Sequence, residues 1–271
     1  MTLPTVTPWP LEAIWQAVEP MLPGFSVEVL PQVDSTNAEL MRRAQAGRCE
    51  PCLLLAERQT AGRGRLGRVW HGSETAQGPG TLTFSLGLTL APKDWSGLSL
   101  AVGLSLAQTL HSDILVKWPN DLWWRDRKLA GILIETTNWL AAPTPASRYV
   151  VIGVGLNIQA PPAQTMTTPP VGLTELVPDA DAVTTFGRVV APLVRALQLF
   201  EQRGFAAFQR NFNDRDALTQ AQVTLNDGLQ GQAQGVDAQG ALLVQTAQGL
   251  QRVTSSEVSV RPVPGPDYGH L

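Results

Sequence analysis

The chain has 271 residues, of which 44% are hydrophobic and 16% are charged, and its net charge is −3 at pH 7. These values exclude a disordered chain and are typical of a globular protein with one large domain, or a large and a small one. The mildly acidic balance argues against general binding to nucleic acid or to anionic membranes. Because the chain shows neither a secretory signal nor a run long enough to span a membrane, we expect a cytoplasmic protein.

Helices and strands alternate in the first part of the chain. Hydrophobic spacing predicts a helix over residues 11–21, a strand over 25–30, a helix from 36 to about 46, a strand over 53–57 and a strand over 81–90. Thr36 and Glu39 form a capping-box pattern at the start of the second helix, and Gly47 ends that helix.

The second part of the chain continues the same alternation. The pattern predicts a helix over 97–111, strands over 114–118, 129–137 and 149–158, a loop over 160–170, and a helix with apolar residues from 183 to 200. The strand 149–158 is apolar throughout, so we expect it at the centre of a sheet. Pro192 lies inside the last helix and should kink or split it.

The composition changes near Ala217, where short strands separated by Gly and Asp turns begin. This change predicts a large domain over residues 1–214 and a small all-β domain over residues 215–271, which we expect to be an SH3-like barrel with a disordered tail. The predicted fold class is therefore α+β, with a mixed sheet packed against helices plus the small barrel.

The most informative segment is residues 61–68, AGRGRLGR, where arginines are set among glycines. Glycine lets the backbone approach a ligand closely, and arginine offers a permanent charge in a planar fork. The segment suits an anionic ligand that must be enclosed, although a solvated basic turn has the same composition. Gly62, Gly64 and Gly67 also match a dinucleotide-binding fingerprint, but no helical pattern follows, so we reject that interpretation.

Three other segments place polar groups at the ends of predicted elements. Residues 35–37, STN, can cap a helix or hydrogen-bond a neutral polar ligand. Residues 117–121, KWPND, can form an ordinary turn, or offer a lysine to phosphate and a carboxylate to magnesium. Lys128 opens the strand RKLAGILIE, either as a solvated edge residue or as a cation at the mouth of the sheet.

Cys49 and Cys52 form a C-x-x-C pair, but neither a helix start nor a nearby histidine supports a redox or zinc role there. The sequence also contains neither a P-loop nor a G-x-S-x-G nucleophile elbow.

Taken in order, STN, ERQTAGRGRLGR, KWPNDL, RKLAGILIE and VVIGVGLNI resemble the catalytic core of bacterial biotin protein ligases. The resemblance covers residues 33–158 closely and continues more loosely into the β-rich end. It implies that residues 1–214 form a catalytic domain with a class II synthetase-like or lipoate-ligase-like core. It also implies an ATP-dependent enzyme that activates biotin as biotinyl-5′-AMP and transfers it to a lysine of a biotin carboxyl carrier protein.

The resemblance also assigns roles to individual residues. The implied catalytic cations are Arg63, Arg65, Lys117 and Lys128. The implied biotin-binding residues are Ser35, Thr36, Asn37, Gln59, Arg63, Gly64, Arg65, Lys128 and Gly131. The implied nucleotide contacts are Arg65, Trp70, Asn120, Asp121 and Asn157. Gly131 and Trp70, with Ile132, would line a slot for the valeryl chain of biotin, or would simply pack in the core.

The implied co-substrate is ATP with Mg²⁺, with no tightly bound metal or prosthetic group, and the protein ligands of any metal stay unassigned. Two alternatives stay open: a lipoate or octanoate transferase of the same architecture, and a non-catalytic biotin-binding regulator. Because the STN motif begins at residue 35, we expect a form that lacks the N-terminal DNA-binding domain of some family members. The expected partner is the carrier protein, with no nucleic acid or membrane, and the chain is expected to be a monomer or a homodimer.

Overall fold

A mixed seven-stranded sheet and a small antiparallel sheet organise the molecule in the computed structural model. The structure describes residues 8–75, 78–138, 143–162, 168–225, 228, 230–254 and 260–262. The helices are α1 (Leu11–Val18), α2 (Thr36–Gln45), α3 (Leu98–Leu110), α4 (Ala182–Arg203) and α5 (Gln209–Asn213), with 3₁₀ turns at Arg65–Gly67, Leu173–Glu175 and Phe205–Ala207.

Nine strands lie in the first part of the chain and five in the last. The first nine are β1 (Ser26–Val33), β2 (Cys52–Gln59), β3 (Glu74–Thr75), β4 (Gly78–Pro79), β5 (Thr81–Leu90), β6 (Leu115–Lys117), β7 (Asp121–Trp124), β8 (Arg127–Thr137) and β9 (Arg148–Asn157). The last five are β10 (Gln222–Leu225), β11 (Gln230–Val236), β12 (Leu242–Thr246), β13 (Gly249–Val253) and β14 (Val260–Pro262).

The large sheet has the strand order β1-β2-β5-β9-β8-β7-β6. Only the pair β1 and β2 is parallel among its described strand pairs, and the others are antiparallel. Strand β9 lies fourth of seven, which confirms its predicted central position. The predicted α+β class with a mixed sheet is also confirmed.

The two faces of this sheet carry different side chains because alternate strand residues point to opposite sides. On β5 and β9, one set belongs to the main hydrophobic core, to which α1, α3 and α4 contribute; Leu82, Leu86 and Ile152 are examples. The other set lies toward α2, where Tyr149 and Val151 join a second apolar cluster. Part of this second face stays open and forms the candidate site.

Three local predictions differ from the structure. Strand β7, with two buried tryptophans, lies where the pattern predicted only a polar connection, because left-handed residues Arg125 and Asp126 make a tight turn into β8. The N-cap of α2 is Ser35, not Thr36, so the predicted capping box is wrong. Pro192 does not split α4, which runs as one helix of 22 residues.

The small C-terminal sheet has the order β13-β12-β11-β10-β14 and is antiparallel in its described pairs, as the predicted all-β unit requires. It contacts the large sheet through the Trp118 indole, which donates a hydrogen bond to the carbonyl of Gly240 at 3.1 Å. Asp216 forms a β-bridge with Val116 of β6, so the chain leaves the large sheet close to the predicted boundary after residue 214. That boundary stays a prediction, and the predicted disordered tail after residue 262 lies outside the described residues.

Two further findings concern the described part of the chain. No helix there is both long enough and apolar enough to cross a membrane. Cys49 and Cys52 are both free and buried in the apolar cluster beneath α2, and burial raises the pKa of the Cys52 thiol to about 11. A thiol in that environment stays protonated and unreactive at neutral pH.

Candidate active site

A cavity of about 140 Å³ lies where the start of α2 meets strands β5, β8 and β9. Its lining includes thirteen of the fourteen residues that the sequence predicted for binding or catalysis: Ser35, Thr36, Asn37, Gln59, Arg63, Gly64, Arg65, Trp70, Lys117, Asn120, Asp121, Lys128 and Gly131. These residues come from four separate segments, so the fold brings together motifs that are up to 96 residues apart.

The part of the cavity formed by the start of α2 and the end of β2 is lined by neutral polar side chains. Ser35 caps α2, and its hydroxyl accepts a hydrogen bond from the backbone N–H of Ala38 at 3.4 Å. The backbone N–H of Thr36 donates to Gln59 Oε1 at 2.7 Å, which links the helix start to the end of β2. Ser35, Thr36 and Asn37 are all buried, so the helix cap also forms the wall of the cavity. The capping and the ligand-binding interpretations of STN are therefore compatible.

Asp34, which precedes this cap, holds the segment in place. One of its carboxylate oxygens accepts from the backbone N–H of Ser35 at 2.8 Å, and the pair of oxygens receives both terminal nitrogens of Arg42. The hydrogen bond from Arg42 is the main reason that the pKa of Asp34 is lowered to about 2. The carboxylate therefore stays ionised, and the start of α2 stays anchored, over the physiological pH range.

The Arg/Gly segment folds back on itself above the cavity. The backbone N–H of Gly64 donates to the carbonyl of Arg68 at 2.7 Å, and that of Trp70 donates to Gly62 at 2.9 Å. Gly62 has no room for a side chain, because a Cβ there would lie 2.4 Å from the carbonyl oxygen of Trp70. Glycine at this position thus permits the close backbone pairing that places the arginines at the cavity.

The Trp70 indole lies on a floor of glycine. A Cβ at Gly155 would be 2.3 Å from the indole ring, and one at Gly131 would be 3.3 Å from it. The absence of side chains on adjacent strands β8 and β9 therefore leaves a flat slot that the aromatic ring covers. This is the place where the sequence predicted an apolar slot from Gly131, Ile132 and Trp70.

The cations enter the cavity from three directions. Lys128 Nζ lies 2.7 Å from Asp121 Oδ1 and 5.8 Å from the centre of the Trp70 ring. Lys117 is buried, with its Nζ 5.2 Å from the centre of the Trp123 ring. Arg65 donates to Asn120 Oδ1 at 3.4 Å. Burial lowers the pKa of the Arg65 guanidinium, an effect that the nearby Asp121 carboxylate opposes.

The charge of the cavity is strongly positive although the whole chain is acidic. Five cationic side chains line it, namely Arg63, Arg65, Arg68, Lys117 and Lys128, and among the lining residues Asp121 is the single carboxylate. An excess of like charge in a partly buried cavity is unfavourable without a ligand and stabilises an anion placed there. The arrangement suits a substrate with several negative oxygens.

One predicted contact is not part of this lining. Asn157, at the end of β9, is buried, and its amide nitrogen donates to the backbone carbonyl of Lys128 at 3.3 Å. Its amide oxygen has no hydrogen-bond partner among the described residues. The structure thus places Asn157 behind Lys128, while its predicted contact with the nucleotide stays a prediction.

Several lining residues were not predicted from the sequence. They are Leu66, Val69, Thr83, Phe84, Pro119, Leu133, Gly153, Val154 and Gly155, with Arg68 noted only as a flanking charge. A signal was present in the strand GVGL, where small and large residues alternate on β9. The glycines in this alternation lie on one face of β9, which therefore has no side chains there. The pattern is difficult to recognise in the sequence because the whole strand is apolar.

Comparison with known proteins identifies the family of this chain. Residues 29–157 match the biotin/lipoate A/B protein ligase family, and residues 222–261 match the biotin protein ligase C-terminal domain. The bifunctional ligase/repressor BirA of Escherichia coli (strain K12) is 35% identical over 250 residues, which cover 89% of this chain and 75% of that protein. The chain belongs to the biotin protein ligase family.

Two further relatives agree with this membership. The biotin–[acetyl-CoA-carboxylase] ligase of Paracoccus denitrificans is 31% identical over 242 residues, covering 85% of this chain and 98% of that protein. The structure of the biotin protein ligase from Aquifex aeolicus in complex with biotin and ATP superposes with a TM-score of 0.71 at 26% identity, covering 88% of this chain and 99% of that one. The family membership and the fold class predicted from the sequence are thereby confirmed.

Proposed function

We propose that this chain is an ATP-dependent biotin protein ligase whose cavity binds biotin and ATP side by side. In the first step a carboxylate oxygen of biotin attacks the α-phosphorus of ATP, the bond to the bridging oxygen of the β-phosphate breaks, and pyrophosphate leaves. In the second step a lysine amine of a carrier protein attacks the acyl carbon of biotinyl-5′-AMP. AMP leaves, an amide forms, and the amine gives up its proton.

The observation that carries this proposal is the convergence of cations from three chain segments on one cavity that also has a neutral polar end. The first step gathers negative charge on the carboxylate and phosphate oxygens as they approach. Fixed cations aimed at those oxygens stabilise the transition state more than the separated substrates. In this assignment Arg63, Arg65, Lys117 and Lys128 provide that stabilisation.

Biotin would lie with its ureido ring at the polar end and its carboxylate toward the cations. Ser35, Thr36, Asn37 and Gln59 offer the donors and acceptors that a cyclic urea needs. The Trp70 ring, packed on the glycine floor, offers an apolar surface for a flexible hydrocarbon chain, because contact with that surface removes the chain from water. Lys128 then lies at the junction between the biotin carboxyl group and the α-phosphate.

The nucleotide would occupy the part of the cavity near Arg65, Asn120 and Asp121. Mg²⁺ in nucleotide sites is usually held by one or two carboxylates together with the substrate phosphates. Asp121, whose carboxylate lines the cavity, fits that role. We therefore assign Mg²⁺ as entering with ATP, with Asp121 as its protein contact.

The carrier would approach from a second cavity of about 450 Å³ that adjoins the first at Arg65, Asn120 and Ile132. Among the described strand pairs, residues 134–137 of β8 pair only with β9, since β7 pairs with β8 only as far as Gly131. An open strand edge beside the cavity can bind an extended segment of a partner. A lysine presented there would reach the acyl-adenylate past Arg65.

The test is pyrophosphate release by the purified chain with ATP, Mg²⁺ and one of three acids: biotin, lipoate or octanoate. Release with biotin alone, followed by biotinylation of the carrier domain of acetyl-CoA carboxylase, is the expected result. Release with lipoate or octanoate would assign the chain to the alternative transferase activity. Biotin binding without any pyrophosphate release would identify a non-catalytic binder and contradict the proposal.

A further inference from the structure

Glu135 on β8 is an acidic residue next to the cavity that ends the RKLAGILIE segment and has no role in the proposed mechanism. Its carboxylate touches two residues of the site at once. Oε1 lies 3.1 Å from Nη2 of Arg63, and Oε2 accepts from the amide nitrogen of Asn37 at 2.9 Å. The Glu135 side chain is 21% exposed, whereas that of Arg63 is 51% exposed. The contact between Glu135 and Asn37 is therefore less hydrated than the contact between Glu135 and Arg63, and it contributes more to holding the site in place.

The carboxylate fixes which way the Asn37 amide points. An ionised carboxylate can only accept hydrogen bonds, so the amide NH₂ must face it. The same nitrogen also donates to the backbone carbonyl of Leu133 at 3.1 Å, which reinforces this orientation. The amide oxygen of Asn37 is consequently turned toward Ser85 of β5, whose hydroxyl oxygen is 2.6 Å away.

Ser85 passes this orientation on to Thr36. Ser85 is fully buried, and its Oγ also lies 2.6 Å from Oγ1 of Thr36. A hydroxyl has one proton, and because the Asn37 oxygen has none, the Ser85 proton must lie between those two atoms. The Thr36 hydroxyl has two neighbours that can accept its single proton, Ser85 Oγ at 2.6 Å and Gln59 Oε1 at 3.2 Å, and both belong to the network rather than to the open cavity. The hydroxyl oxygen of Thr36 is left with a lone pair for the cavity.

We propose that Glu135 is a positioning residue, which makes Thr36 an acceptor for an N–H of the bound ligand and joins the ureido end of the site to the Arg63 loop. The chain of contacts runs from Arg63 through Glu135, Asn37 and Ser85 to Thr36. Since a cyclic urea presents N–H donors at its ring edge, this polarity selects for such a head group and against one that offers only acceptors. The inference depends on the ligase function proposed above.

The test combines two single variants and their double variant. Glu135→Ala and Ser85→Ala should each raise the dissociation constant for biotin roughly ten- to hundredfold, because each removes part of a buried chain of hydrogen bonds. The KM for ATP should change less than about threefold, because neither residue lies near the assigned nucleotide site. The double variant should bind biotin about as well as the weaker single variant, because both act through one chain.

Two further variants separate positioning from a structural role. Glu135→Gln can still accept from Asn37 but loses the charge toward Arg63, so its affinity for biotin should fall between those of the wild type and Glu135→Ala. Glu175→Ala is the matched control, since it removes a carboxylate that pairs with Arg127 at 2.8 Å outside the cavity, and it should leave biotin binding unchanged. Calorimetric titration with biotin and steady-state pyrophosphate release provide the two readouts.

Several outcomes would overturn the inference. They are wild-type affinity for biotin in Glu135→Ala, an equal change in biotin affinity and in the KM for ATP, and additive effects in the double variant. Measurements on the wild-type chain distinguish failure of this inference from failure of the proposed function. If it binds biotin but releases no pyrophosphate, the ligase function fails while the binding test of Glu135 still decides the inference. If it does not bind biotin, both fail.

Discussion

The two faces of the central strands come from alternate residues of the same strands but have opposite functions. On the core face of β5 and β9, side chains such as Leu86 and Ile152 are fully buried in the main hydrophobic core, to which α3 and α4 contribute. On the other face, Ser85, Gly153 and Gly155 alternate with them and provide a hydroxyl or no side chain at all. One face stabilises the fold by filling space, and the other makes a site by leaving space open.

This difference shows how a ligand cavity arises without any break in the sheet. A Cβ at Gly153 would lie 2.1 Å from the amide oxygen of Asn37, so even an alanine would displace that side chain. The buried side chains of Thr36, Asn37 and Ser85 on this face instead hydrogen-bond one another. Changes on the open face should therefore alter binding and catalysis, while changes elsewhere should alter stability.

The largest effect is expected from removing a cation at the centre of the site. Lys128→Ala should lower kcat/KM for pyrophosphate release by about 100- to 1000-fold, or roughly 2.7–4 kcal/mol, as for other groups that stabilise transition-state charge. The matched control is Arg127→Ala, which removes the same charge from the neighbouring residue, whose partner is Glu175. Equal losses in the two variants would show that net charge, not position, matters.

A buried polar group away from the open face should instead weaken the fold. Asp216 is 5% exposed, and one of its oxygens has no hydrogen-bond partner among the described residues. Burial raises the pKa of this carboxyl to about 6, so the folded chain holds the proton to higher pH than the unfolded chain. Its contribution to stability is therefore largest below about pH 4 and is lost as the pH rises through 6, by roughly 3 kcal/mol.

The difference between the wild type and Asp216→Asn isolates this group from the other carboxylates. Unfolding free energies from urea titrations at several pH values between 4 and 7 would measure it. The neutral amide does not titrate, so the variant should gain stability relative to the wild type as the pH rises. A difference that does not depend on pH would contradict the assigned burial of charge.

The glycine floor offers a direct test of the open face. In Gly155→Ala the new Cβ would lie 2.3 Å from the indole of Trp70, which must then leave the slot. We expect the KM for biotin to rise about tenfold, within the roughly 1–3 kcal/mol typical of an overpacked site. The matched control is Gly87→Ala on β5, where the new Cβ would lie 2.1 Å from the Tyr149 hydroxyl beneath α2. That variant should melt at lower temperature with an unchanged KM, and the reverse pattern would contradict the distinction between the open part of this face and the part that α2 covers.

The sequence predicted the element types and most of the site because both leave local signals. Periodic apolar residues located β5 and α3 to within one residue, and charged motifs pointed to the cavity residues. The four-residue strand β7 was missed because it is short and lies between two polar turns. Its two tryptophans are adjacent, so they do not form the alternating pattern that predicts a strand. The capping box failed because Ser35 and Thr36 are both good caps, and only the backbone decides which one is used.

The network around Glu135 could not be predicted because its members are distant in sequence. Asn37 and Glu135 are 98 residues apart, and Ser85 lies on a third element. Asn37 was predicted as a ligand contact, but Ser85 and Glu135 each have an ordinary explanation as a core or a surface residue. The pairing of β5, β9 and β8 brings these residues to one face of the sheet. The local sequence pattern does not predict which strands pair.

The smallest effect is expected at the contact between the large sheet and the C-terminal sheet. Gly240 has a φ of +77°, and a Cβ there would lie 2.8 Å from the Cα of Gly97 at the start of α3. Gly240→Ala should therefore lose more stability than Gly24→Ala. Gly24 is the control because it has a φ of +82° and open space around it, so left-handed backbone strain alone predicts a loss of about 1 kcal/mol there.

Because the Gly240 carbonyl accepts from the Trp118 indole next to Lys117, the same variant should also raise the KM for ATP a few-fold. Thermal melting and pyrophosphate release at varied ATP would measure both effects. Equal melting temperatures for the two variants would show that the C-terminal sheet does not support the KWPND segment, and that the open face is complete within the large sheet.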